Sequence, residues 1–435
     1  MTRMTIVLVA TAGVASAQDA SFDGLGFDGL GGGLVGSRAN GVSPDGEAIV
    51  GGDDTQLGTI AAYWFEGFRF PNLLFDPAGD FAFGTAEAVS SDGDVIIGLH
   101  GFFRDGVFLQ VAMAWDNLGL GVELKPLPDA RPLGRLLTFP GDISNDGSVA
   151  VGVSSDRSGT RQPVTWNPAT GAVRPLALLP GRSGGQASRI SADGRIIAGC
   201  QFGAGGTDML VFWTDGVPEA VDVGLPPEFE RFEIHSLSPD ASVVGGSVTP
   251  RDFDPFSNPI RPAIWRRGSG LEVLGTPPGA PFPTGNDMVQ GISERGLIAV
   301  GTTSVSAAGS PFSATVWLPD GSVRTVADWL IDDFGLVEVG DWRGLLEATA
   351  ISDDGTVIVG YGINPLGIKE AWRAEVPSFL CRVDMDGDGE ATLFDFLAFQ
   401  NLFDVEDPRA DFDGDGRYTL FDFLAFQTEF DVGCP

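Results

Sequence analysis

The chain is poor in the side chains that most enzymes use. Of its 435 residues only His100 and His235 are histidines, and neither sits in a recognisable motif. No His-Glu-x-x-His, phosphate-binding loop or Cys-x-x-Cys pattern occurs, so zinc-hydrolase, nucleotide and dithiol chemistries have no support here. Lysine is confined to Lys125 and Lys369, and 26 basic residues face 59 acidic ones for a formal charge of -33. Nucleic acid and anionic membrane surfaces both require a basic footprint that this composition lacks. Cysteine occurs at Cys200, Cys381 and Cys434 only. No apolar run is long enough to span a bilayer. Glycine, at 62 residues, shows no three-residue period, which excludes collagen and assigns it to turns.

What is present begins with a leader. Residues 1–17 read as a signal peptide: Arg3, the apolar segment Thr5 to Val14, then Ala15-Ser16-Ala17 as a small-residue cleavage site. The expectation is an exported, secreted protein cut near Ala17, in a compartment where cysteines can pair.

The body is a repeat. The phrase AISDDGTVIVG, from Ala350 to Gly360, recurs with its serine at Ser43, Ser90, Ser144, Ser191, Ser238, Ser293 and Ser352. A tryptophan follows each: Trp64, Trp115, Trp166, Trp213, Trp265, Trp317 and Trp372. A period of about 50 residues is the mark of a repeat architecture. Each repeat holds four short apolar pieces. In the third they are Gly141–Ser144, Val149–Ser154, Pro163–Trp166 and Ala172–Leu179, separated by turn residues such as Asn145-Asp146-Gly147. Asp-Gly turns between β-rich runs indicate hairpins. Four antiparallel strands in each of seven repeats predict an all-β fold, a seven-bladed β-propeller. The glycine closing each run marks a bulge or a close backbone approach, and the tryptophan fills the seam between blades. The last repeat lacks a fourth strand after Trp372, and Phe22–Leu30 resembles the fourth-strand segment VRPLALLPG at 173–181. The N-terminal segment is therefore expected to complete the last blade and remove two sheet edges. An insertion at Val326–Glu347 has Val326, Trp329, Leu330 and Phe334 at helical spacing, with Gly335 placed as a cap.

The seven phrases, and the Leu-Pro-Gly before several of them, resemble the HAF-type repeat of exported bacterial proteins over about residues 22–376. The sixth copy departs, with Glu294-Arg295-Gly296 in place of the Asp-Gly turn. The resemblance implies export and a propeller-like fold, and no established reaction.

Composition changes at Pro377. Two near-copies follow, DMDGDGEATLFDFLAFQ from Asp384 and DFDGDGRYTLFDFLAFQ from Asp411. Loop positions 1, 3, 5, 9 and 12 are Asp384, Asp386, Asp388, Thr392 and Asp395 in the first, and Asp411, Asp413, Asp415, Thr419 and Asp422 in the second. Gly389 and Gly416 stand where an EF-hand loop turns sharply, and Glu390 and Arg417 would each offer a backbone carbonyl. Alternating carboxylates on a tight loop supply the six to eight oxygens that a hard cation takes, so two Ca2+ ions are expected. Aspartate at position 12 and the tandem spacing make residues 381–434 resemble a type I dockerin. That resemblance implies calcium binding and docking onto a cohesin-like partner. The partner-reading positions would be Leu393-Phe394 and Leu420-Phe421, where cellulosomal dockerins commonly carry small hydroxyl residues. These four are either core or a hydrophobic patch for another partner. Cys381 and Cys434 bracket the module and are expected to form a disulfide, contributing roughly 4 kcal/mol by the chain-entropy estimate. Cys200 reads as a buried thiol.

The sequence selects no catalytic residue. Gly181–Gly185 spells a Gly-x-Ser-x-Gly pattern, but a nucleophile elbow needs a strand–turn–helix context, and this segment reads as a turn before the fourth repeat. Asp45, Asp92, Asp146, Asp193 and Asp354 read as turn residues rather than metal ligands. The expectation is an exported, non-catalytic calcium-binding propeller, a binding or scaffold component attached through its tail. The alternatives are a polysaccharide-degrading enzyme carrying a dockerin, with a channel lined by carboxylates and an aromatic platform, and a surface adhesin using the Leu-Phe pairs.

Overall fold

The computed structural model describes residues 20–27, 35–56, 58–65, 71–76, 83–104, 107–132, 137–203, 208–254, 258–278, 287–304, 312–377, 383, 385, 391–404, 410, 412 and 417–432. Its strands form seven four-stranded antiparallel sheets, one per repeat, so the chain is a seven-bladed β-propeller. The third blade runs Thr138–Ile143, Ala150–Ser155, Arg161–Asn167, Ala172–Pro175 from the axis outwards.

The repeated phrase builds the turn from the inner strand to the second. The Ser144 hydroxyl donates to Asp146 Oδ1 at 2.6 Å and accepts the Val149 amide at 3.1 Å. Asp146 also accepts the Ser148 amide at 2.9 Å, while Gly147 takes φ +67°. Asp45, Asp92, Asp193, Asp240 and Asp354 repeat the serine contact. These aspartates serve the turn, as expected for all but Asp240, which joins them. The sixth repeat closes instead through a short 3-10 turn, Glu294–Gly296, with Arg295 at φ +54°.

The core is distributed between blades. Ile97, Ala112 and Ala114 of blade 2 pack on Ile143, Ala150, Val164 and Trp166 of blade 3. The tryptophans do fill these seams, and each of four also bonds across one. Trp115, Trp166, Trp213 and Trp317 donate Nε1–H to the carbonyls of Phe75, Lys125, Ala177 and Gly275, just past the outer strand of the preceding blade, at 2.7, 2.8, 2.7 and 2.9 Å. Among the described residues Trp64 and Trp372 find no such acceptor. They stand in blades 1 and 7, on either side of the ring's closure.

That closure is made by the N-terminal strand. Ser21–Gly24 pairs antiparallel with Lys369–Glu375 and becomes the outer strand of blade 7. Leu25 donates to the Ala371 carbonyl at 2.9 Å, and Glu370 Oε1 accepts the Gly26 amide at 2.9 Å. The strand begins one residue before the expected Phe22, and residues 28–30 of the expected segment lie outside the described residues.

The insertion contains the expected helix, α1 (Val326–Phe334), capped by Thr325 and ended by Gly335 at φ +71°. Its Trp329 and Leu330 pack with Val300 and Val316 of blade 6 and Trp372 of blade 7. The C-terminal region holds two helices, α2 (Leu393–Asp404) and α3 (Leu420–Val432). They pack through equivalent residues: Phe399 stacks on Phe426 at 4.1 Å, and Phe396 meets Phe423 edge-on at 5.8 Å.

Candidate functional site

Two regions gather polar side chains away from solvent: the channel on the propeller axis and the paired repeats of the tail.

The channel is lined by the inner strands of all seven blades and encloses about 300 Å³. Every inner strand bulges, and in each the skipped residue stands three positions before the phrase serine. These residues are Asn40, Glu87, Gly141, Ser188, His235, Gln290 and Thr349. A bulge leaves its extra residue out of the ladder and re-aims it. The closing glycine of each phrase makes room for the bulge. A Cβ on Gly51 would lie 2.0 Å from the Arg38 carbonyl, and one on Gly360 1.9 Å from that of Glu347. Both expectations for this glycine, bulge and close approach, thus meet at one place. The ring of bulged residues was not anticipated, although its signal was in the sequence. The positions one and four before each serine are apolar or proline, and the position three before is polar in six of seven repeats.

Several polar groups along the channel join blades. Asn40 Nδ2 donates to the Ala86 carbonyl at 2.9 Å, and Thr349 Oγ1 to that of Ala39 at 3.0 Å. Arg189 donates to the Gly141 carbonyl at 3.1 Å, and Asp142 accepts the Ile190 amide at 3.1 Å. His235 meets Ser247 Oγ at 3.1 Å, and burial with the nearby Arg189 charge holds it down at about 4, neutral at ordinary pH. Burial raises the carboxyls of Glu87 and Asp142 against the opposing pull of nearby arginines.

At the turn end, the residue after each serine bonds to its counterpart in the next blade. The amides of Ser91, Asn145, Ala192, Glu294 and Asp353 donate to the carbonyls of Asn145, Ala192, Pro239, Asp353 and Pro44. The two missing rungs begin at Pro44 and Pro239, which have no amide hydrogen to give. A side-chain bond spans the same end, from Asn145 Nδ2 of blade 3 to Asp353 Oδ2 of blade 7 at 3.0 Å. Burial raises the Asp353 carboxyl to about 6, helped by the charges of Glu294, Asp142 and Asp354 and opposed by the Asn145 bond.

The tail places its predicted residues in an unusual pattern. Asp395 and Asp422 are fully buried in the first turns of α2 and α3. Each closes a capping box: the Thr392 and Thr419 amides donate to Asp395 Oδ2 and Asp422 Oδ2 at 2.7 Å. The threonine hydroxyls in turn cap the helices, accepting the Phe394 and Phe421 amides at 3.2 and 3.1 Å. Asp422 Oδ1 also accepts the Phe412 amide at 2.8 Å, tying the start of the second loop to its end. Arg417 is exposed. Asp384, Asp386, Asp388, Glu390, Asp411, Asp413 and Asp415 lie outside the described residues, as do Cys381, Cys434 and residues 1–17. Among the described residues no group of three or more His, Cys, Asp or Glu could hold a metal ion.

Of the two alternatives for Leu393, Phe394, Leu420 and Phe421, core does not hold: they are 67%, 69%, 68% and 69% exposed, because the helices bury the opposite face, through Phe399 and Phe426. The reading of Cys200 is corrected. Cys200 is only partly buried, because it lines a cleft between blades 4 and 5. Gly181–Gly185 leads from a turn straight into the inner strand Gly184–Ile190, with no helix to make an elbow. Among the described residues Phe139 is the one aromatic residue in the channel lining.

The chain matches no protein-family model, and no curated protein is similar to it. Solved structures are similar in fold. An oligogalacturonate lyase in complex with manganese shares 13% identity over 82% of this chain and 97% of its own, with a TM-score of 0.50. TolB from Acinetobacter baumannii shares 14% identity at a TM-score of 0.43, over 65% of this chain and 63% of its own, less than two thirds of its length. The β-propeller domain of the Trilobed protease from Pyrococcus furiosus shares 12% identity over 78% of this chain and 95% of its own, with a TM-score of 0.46. At these identities the likeness is one of fold alone, the β-propeller.

Proposed function

We propose that the chain is an exported, non-catalytic binding protein whose propeller presents a rigid face and whose tail is a two-calcium module for attachment to a partner. The observation that carries this reading is the inverted burial of the tail. Aspartates 395 and 422 are wholly buried while Leu393, Phe394, Leu420 and Phe421 are about two-thirds exposed. A buried carboxylate calls for a cation or donors, and a cluster of exposed large apolar groups calls for a partner. Calcium suits the first. Asp395 and Asp422 are the buried members of two ligand sets completed by Asp384, Asp386, Asp388, Thr392 and the Glu390 carbonyl, and by Asp411, Asp413, Asp415, Thr419 and the Arg417 carbonyl. Bound calcium would neutralise each acidic loop and fix it against its helix. The resemblances to HAF repeats and to a type I dockerin agree with this division of labour. The apolar pairs depart from the hydroxyl pattern of cellulosomal dockerins, so the partner is a cohesin-like or other extracellular protein with an apolar contact surface. Supporting the non-catalytic reading, several channel side chains, Asn40, Thr349, Arg189 and Asp142 among them, are committed to blade-to-blade bonds.

Titration of the full chain with CaCl2 by calorimetry is expected to give two ions per chain. The pair Asp395→Ala and Asp422→Ala should abolish that uptake while the propeller's circular dichroism persists; two ions still bound would overturn the assignment. The second reading, an enzyme acting on polysaccharide, draws on the raised carboxyls Glu87, Asp142 and Asp353 in the channel. Against it stands the lack, among the described residues, of an aromatic platform there beyond Phe139.

A further inference from the structure

On the face opposite the phrase turns, two cavities of about 180 and 350 Å³ adjoin the mouth of the channel. Phe139 lines both the channel and the smaller cavity, and Arg161 and Gln186 line both cavities. The three spaces are therefore neighbours in a row, set from the axis across blade 4 to Phe202 and Phe232 on blades 4 and 5, and we read them as one groove. We infer that this groove binds a neutral oligosaccharide; the inference rests on the reading of the propeller as a binding face and names the class of its ligand.

The chemistry of the walls carries it. Phe139 is 41% exposed, and Phe202 and Phe232 are half-buried, so flat apolar faces are offered to a ligand with an apolar side. Between them stand planar polar groups, the Arg161 guanidinium and the Gln186 amide, whose paired atoms match neighbouring hydroxyls. Among the described residues the Arg161 guanidinium has no hydrogen-bond or ion-pair partner. On the far rim Arg231 and Glu233 hold each other at 2.8 Å. Apolar walls with a few placed polar groups are the ordinary make-up of a ligand site. A sugar ring combines a C–H face with a rim of hydroxyls and meets both kinds of wall. A polyanion is disfavoured by a chain of charge -33. An added peptide strand is disfavoured because inner-edge carbonyls at Ala39, Ala86 and Gly141 already accept side-chain bonds.

The test is calorimetric titration of the full chain with neutral hexasaccharides of β-1,4-glucan, xylan and mannan, alongside a hexagalacturonate and a triglutamate peptide. At least one neutral probe is expected to bind saturably, and Gln186→Ala and Arg161→Ala, both near the surface, should each weaken it tenfold or more. Phe103→Ala, an exposed change on blade 2, should leave it unchanged. Binding of none of the neutral probes, tighter binding of either acidic probe, or indifference to both groove variants overturns the inference. Calcium uptake without sugar binding removes this inference and leaves the tail reading in place. Sugar binding with new reducing ends supports the groove and removes the non-catalytic reading.

Discussion

Asp353 carries a charge that the channel is badly placed to accept. It lies at the turn end near Glu294, Asp142 and Asp354, with the Asn145 amide as its one opposing side-chain contact, and its carboxyl is pushed up to about 6. The direction of linkage follows. Between about pH 4 and pH 6 the folded chain holds a proton there that the unfolded chain has released. Stability is therefore lost as pH rises through this window, and the penalty is complete above it. Glu87 and Asp142, also raised by burial, act in the same sense. Asp353→Asn keeps an acceptor for Asn145 and removes the charge. It should stabilise the propeller by up to about 3 kcal/mol at pH 8 and by little at pH 4. Chemical denaturation at the two pH values measures this; equal effects at both would show that Asp353 is not the strained group. Nothing in the sequence singled it out. It is one of 59 acidic residues, and only the ring brings Glu294 and Asp142 from other blades to its side.

The strand that lines the channel was legible in part. The recurring phrase and its turn residues placed seven inner strands, and the phrase glycine was expected at a bulge or a close approach. The coupling of the two required the neighbouring strand to be seen. Gly199 shows how the pieces depend on one another: a Cβ there would stand 2.0 Å from the Gln186 carbonyl, which the bulge at Ser188 drives against the second strand. Gly159 serves a different need, with φ +80° in a hairpin turn and nothing within 4 Å of the added carbon. Gly159→Ala should thus cost about 1 kcal/mol of backbone strain. Gly199→Ala should cost about 3 kcal/mol, because a strand carbonyl must move. Denaturant midpoints of the two variants separate the causes, and equal losses would contradict the bulge account. For the helices α2 and α3 the sequence left core and patch open on one face for a related reason. Both are apolar all round, which from sequence alone suggests a buried helix; the paired packing covers only the Phe399 and Phe426 side and leaves Leu393, Phe394, Leu397 and their counterparts to solvent.

At the scale of the whole ring, blade count and closure were readable because each repeat repeats its turn and its tryptophan, while the last lacks a partner strand. The groove and the cross-channel bond were not readable, because they join residues whose only relation is the circular arrangement. Four seam tryptophans bond to the preceding blade, whereas Trp64 and Trp372, flanking the closure, find no acceptor among the described residues. The N-terminal strand has only four residues, and Phe22 is its anchor, 5.4 Å from Trp342 in an edge-on contact and packed with Trp372. Phe22→Ala removes that anchor, at a cost of about 3 kcal/mol for a buried aromatic. Losing the strand would leave Lys369–Glu375 as an open sheet edge. Amide hydrogen exchange on the variant should therefore show protection falling first at Arg373 and Glu375, which pair with Asp23 and Ser21, with blades 2 to 5 still protected. Because each blade packs its core mainly against its neighbours, such a local opening is the response expected of a stacked array. Simultaneous loss of protection in all seven blades would instead mean that the ring stands or falls as one cooperative unit through this single strand.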